Sequence, residues 1–89
     1  MKKKVAVIVT DRQQEALRMA VGLTLADNAV TVFVMAHPLE PGEMTDLNLQ
    51  TLDEMGAEIF STIPGNSLTL LSTDEVARML VEFDTVIPY

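Results

Sequence analysis

Val5 to Val9 reads VAVIV and Val30 to Met35 reads VTVFVM, two runs of apolar and mostly β-branched residues with almost no polar interruption. A strand with one wet face alternates polar and apolar positions. Continuous runs mark strands buried on both faces, as in a parallel sheet held between helices. Between them lies TDRQQEALRMAVGLTLADNA, long enough for a crossover helix. Asp11 followed by Gln14 predicts an N-cap with its reciprocal partner, and Asp27-Asn28 closes the far end. The first two strands are therefore predicted to be parallel, joined by a right-handed crossover.

The helix between them has few polar positions. At about 100° per residue, Gln14, Glu15, Arg18, Gly22 and Leu25 fall on one narrow side, while Leu17, Met19, Ala20, Val21, Leu23 and Ala26 fill the rest. One face covers the sheet. The other apolar flank, with Met19 and Leu23, is expected to meet a partner subunit, and Gly22 to allow close approach.

Further along, Met44, Leu47, Leu52 and Met55 recur at helical spacing up to Gly56, and AEIFST follows as a short strand. Glu58 within that strand indicates a partly exposed place nearer a sheet edge. Ile63 to Ser67 is a turn cluster. Leu68 to Leu71 fits either a short strand or a buried loop. The last third is plainer. Ser72 and Glu75 form a capping-box pattern, Val76, Met79, Leu80 and Phe83 share one face, and Thr85 to Ile87 make a final strand. The order β-α-β-α-β-α-β predicts one α/β domain over residues 1–89, a three-layer α/β/α sandwich whose mostly parallel sheet has four or five strands.

Composition sharpens this picture. Of 89 residues 48% are hydrophobic but only 4% aromatic, so the core must come from Val, Leu, Ile, Ala and Met. A small domain so rich in aliphatic residues has much surface for its volume, and completion of its burial in an oligomer is expected. The net charge of −7 opposes a phosphate backbone, which argues against nucleic-acid binding. The run Lys2-Lys3-Lys4 reads as a solvated lead-in that guards the edge of the first strand. VAVIV is too short for a membrane span or a signal core, so a cytoplasmic protein is expected. There is no cysteine, which excludes disulfides, thiolate metal sites, persulfide carriage and thiol nucleophiles on this chain.

KVAVIVTD, ALRMAVGLTLADNAVTVFVM, LDEMGAEIFST and STDEVARMLVEFDTVIPY together resemble the DsrE/DsrF-like family of small α/β proteins, which includes subunits of bacterial sulfur-relay complexes. The resemblance covers most of the chain. It implies a compact, cytoplasmic α/β/α domain that forms oligomers and works beside sulfur-relay proteins. Family members that transfer sulfur carry it on a cysteine beyond a strand. With no cysteine here, no catalytic residue carries over.

In open parallel sheets, ligands gather at the carboxyl ends of the strands. Thr10, Asp11 and Arg12 follow the first strand, His37 the second, and Ser61 with Thr62 the third. Each has a plainer role. Asp11 reads first as the helix cap, and His37 as a loop residue held by Pro38, although imidazole is the one side chain that ordinarily titrates near neutral pH. Arg12 opposes the helix dipole, which an anionic ligand or a neighbouring carboxylate would explain. Ser61 has no G-x-S-x-G elbow. Glu40, Glu43, Asp46, Asp53 and Glu54 read as a solvated face, and neither a metal motif nor a Gly-rich phosphate loop is present, so no cofactor is implied. Two functions follow for testing: a non-catalytic structural or partner-binding subunit, or a small-anion-binding or enzymatic domain using the rim of Thr10, Asp11, Arg12 and His37.

Overall fold

The computed structural model describes residues 2–64 and 68–89. The chain runs β1 (Lys4–Val9), α1 (Gln13–Leu25), β2 (Ala29–Val34), α2 (Glu43–Glu54), β3 (Glu58–Ser61), β4 (Thr69–Leu70), α3 (Thr73–Leu80) and β5 (Thr85–Pro88). One sheet has the order β4-β3-β2-β1-β5, and every neighbouring pair is parallel. The architecture is the three-layer α/β/α sandwich expected. Leu68 to Leu71 resolves to the two-residue edge strand β4, and the turn cluster expected at Ile63 to Ser67 lies partly outside the described residues.

The two continuous apolar runs supply both faces of the sheet centre. Val5, Val7 and Val9 of β1 and Val30, Val32 and Val34 of β2 point to one face, where Ala16, Leu17 and Ala20 of α1 and Leu52 of α2 cover them. Ala6 and Phe33 point to the other, beneath Val76 of α3 and a half-buried ring of Ile8, Met35, Phe60, Met79, Leu80 and Phe83. Phe33 stacks on Phe60 at 5.8 Å and meets the edge of Phe83 at 5.9 Å. Two helices thus cover one face and a single short helix the other.

Helix α1 exposes Gln14, Glu15, Arg18, Gly22 and Leu25, as its pattern predicts. It stops as expected. Asp27 takes a left-handed φ of 66°, and both the backbone N–H and the side-chain amide of Asn28 donate to the Leu23 carbonyl. Its start differs. The N-cap is Arg12, and no side chain caps the free N–H groups. Asp11 stands one residue before the cap position, and its carboxylate lies 3.3 Å from His37.

In α2 the expected face holds in its second half, where Leu52 is buried and Met55 half-buried, but not in its first. Thr45 and Leu52 are buried, whereas Met44 and Leu47 are at least half exposed. Apolar spacing alone marked Met44 and Leu47, but packing chose the smaller Thr45 for the close side.

The lysine run is likewise not an edge guard. β1 is an interior strand between β2 and β5, so it has no edge to guard. Lys2 instead pairs with Asp27 at 3.4 Å on the surface, and Lys4 lies 5.2 Å from the centre of the Phe83 ring.

Helix α3 opens on the predicted capping box. The Ser72 hydroxyl accepts the Glu75 N–H, and the Glu75 carboxylate accepts the Ser72 N–H. That backbone N–H first, then the Ser72 hydroxyl and Arg78, hold the Glu75 carboxyl below its ordinary value. A depressed folded-state value stabilises the fold above the unfolded-state value, and the contribution is lost as pH falls through the folded one. Acidification is therefore expected to lower the amide-exchange protection factors, taken against the intrinsic rate at each pH, in the first turn of α3, and Glu75→Gln to remove that response. Ser72→Ala should cost about 1 kcal/mol in urea denaturation.

Candidate functional site at the carboxyl rim of the sheet

β1 and β2 end level with each other, Val9 beside Val34, so the segments after them leave the sheet side by side. The carboxyl rim is built from Thr10 to Gln13 on one side and Met35 to Glu40 on the other. After β2 the chain turns sharply. Ala36 adopts a φ of 73°, and the His37 N–H donates to the Met35 carbonyl at 2.9 Å. A left-handed alanine costs on the order of 1 kcal/mol, so neighbouring contacts must hold it.

Gln13 supplies much of that hold. Its side-chain amide donates to the Pro38 carbonyl, and its side-chain oxygen accepts the Glu40 N–H, both at 2.9 Å. One amide group thus fastens the loop after β2 to the first turn of α1. Sequence reasoning passed over Gln13. Its only signal is a side chain with both donor and acceptor at the point where two rim loops must meet.

The structure brings together two of the expected rim residues, Asp11 and His37. His37 Nε2 and Asp11 Oδ1 are 3.3 Å apart, with side chains 62% and 82% exposed. A pair so open to water is screened and contributes little. Arg12 turns toward Glu15, at 4.0 Å and also exposed. Thr10 is half-buried behind them. Ser61 is not displayed at the rim surface. It is buried, and its hydroxyl both donates to the Ile63 carbonyl and accepts the Ile63 N–H.

Asp11, Arg12, Gln13, Gln14, Glu15 and Glu40 line a shallow open cleft of about 280 Å³. Three carboxylates face one guanidinium there, and His37 lies outside the cleft. A larger hollow of about 510 Å³ lies between α2 and β3, lined by Leu49, Asp53, Ile59 and Leu68 among others, and shares no residue with the rim. Among the described residues no three His, Asp or Glu side chains converge as a metal ion would require. No helix among them is long and apolar enough to cross a membrane. No family model, curated protein or solved structure matches the chain.

Proposed function

We propose that the chain is a non-catalytic structural or partner-binding subunit of the DsrE/DsrF-like kind, acting in a cytoplasmic oligomer beside a sulfur-relay protein. The observation that carries this reading is the state of the rim. Asp11 is matched with His37, Gln13 with the loop backbone and Ser61 with Ile63, so the polar groups that could work on a substrate are engaged with one another or open to water. A catalytic site instead needs polar groups that converge on an enclosed space. The all-parallel α/β/α layering supports the resemblance, and the missing cysteine removes the atom that would carry sulfur. For the rival reading, a small anion would sit at the start of α1, but there it would meet Asp11, Glu15 and Glu40 together with Arg12.

Oligomerisation belongs to the same proposal. The flank of α1 expected to meet a partner carries Met19 and Leu23, half-buried against the core. Met19 shares an open cleft with Tyr89, just past β5, so this flank borders the edge of the sheet. The test is chemical. After incubation with a persulfide donor, the mass of the purified protein should be unchanged. Titration with millimolar phosphate, sulfite or thiosulfate should leave the amide resonances of Asp11 to Gln14 and of His37 in place. A stable sulfur adduct, or shifts there that vanish in Arg12→Ala, would overturn the reading.

A further inference from the structure

The hollow between α2 and β3 follows from the shortness of β4, which pairs with Phe60 and Ser61 only. Among the described residues the first half of β3 is therefore an open edge. Ile59 stands beside Val32 and turns toward α2, where Leu49 and Leu68 lie with it, all three half-buried against the core. Glu58, one residue earlier, turns to the opposite face. The hollow thus wraps round the sheet edge, with Asp53 of α2 on one side and Glu58 on the other.

Elsewhere on the surface carboxylates have cations beside them: Lys2 for Asp27, Arg12 for Glu15 and His37 for Asp11. The hollow differs. Asp53 and Glu58 make no ion pair among the described residues, and no Lys, Arg or His lines the space. Charge of one sign beside a wall of low dielectric focuses the field and gathers counter-ions. From this pairing of bare carboxylates with an aliphatic wall we propose that the hollow binds a small aliphatic amine, its protonated head at Asp53 and Glu58 and its chain along Leu49, Ile59 and Leu68. A volume of about 510 Å³ suits a small ligand. Both parts of that ligand are needed. A bare metal ion would meet two carboxylates without a third and gain nothing from the apolar wall. A neutral hydrocarbon would leave the carboxylates without a counter-charge, and an anion would be repelled. The site shares no residue with the rim, so it goes beyond the non-catalytic reading.

The probe is hexylamine, titrated at neutral pH while backbone amide resonances are followed. Shifts at Leu49, Asp53, Ile59 and Thr69 should saturate in the millimolar range. Hexanol and ammonium chloride, each with half of the ligand's chemistry, should bind more weakly, and hexanoate should leave these resonances in place. Asp53→Asn combined with Glu58→Gln should weaken hexylamine by about threefold to tenfold, the worth of two exposed ion pairs. Asp74→Asn combined with Glu82→Gln removes as much charge away from the hollow and should change nothing. Hexanol binding as tightly as hexylamine, equal weakening in both double variants, or shifts that never saturate would each overturn the site. Any of these results leaves the non-catalytic reading standing, whereas a persulfide adduct overturns that reading and not the amine site.

Discussion

Phe33→Ala should leave most of the chain unfolded at room temperature in mild urea. Phe33 is fully buried on the sheet face that α3 alone covers, where only Ala6 and Val76 are buried with it. Its ring also joins the aromatic contacts with Phe60 and Phe83. Truncating a buried phenylalanine costs about 3–5 kcal/mol. Whole domains are stable by about 5–15 kcal/mol, and small ones lie toward the low end. The loss is therefore comparable with the total. The denaturation midpoint and the dispersion of amide resonances would show it, and a variant that keeps a near wild-type midpoint would mean that the α3 layer contributes little to the fold.

Leu52→Ala is expected to act locally. Leu52 is the one fully buried apolar side chain of α2, with Thr45 as its buried neighbour and Leu49 only half covered. The truncation costs about 2–5 kcal/mol, more than a helix with exposed Met44 and Leu47 has in reserve from its other contacts. Amide exchange should rise by orders of magnitude across α2 while β1 and β2 keep their protection. Equal loss in all elements would show instead that α2 unfolds only with the whole domain.

How far the sequence could be read depended on how local the cause was. The apolar runs at Val5 and Val30 and the Ser72 capping box are decided by residues within a few positions, and they stand where expected. Asp11 failed as a cap because the helix starts one residue later than the pattern implied, with Arg12 in the cap position, and Asp11 lies beside His37 of a loop distant in sequence. The lysines failed as an edge guard because β5, formed by the last residues described, covers that side of β1. In α2 the pattern of large apolar residues named Met44 and Leu47, yet the close approach of the layers selected Thr45. At the rim, Thr10, Asp11, Arg12 and His37 were placed at the right end of the sheet, since strand ends are legible from pattern. The burial of Ser61 and the clamp made by Gln13 were not, because side-chain partners across loops leave no periodic trace.

The strand order also has a kinetic consequence. β1, β2 and β3 are neighbours joined by successive crossovers and can assemble in turn. β5 must return across the width of the sheet to reach β1, closing the 80-residue separation marked by the hydrogen bond from Lys4 to Asp84. Contacts this distant in sequence form late, because the chain loses its freedom before the pairing rewards it. On the ribosome, the flank of β1 therefore stays bare until nearly every described residue has emerged. In that interval β1 can pair with the wrong chain, and the hazard ends only when the final four-residue strand is laid down.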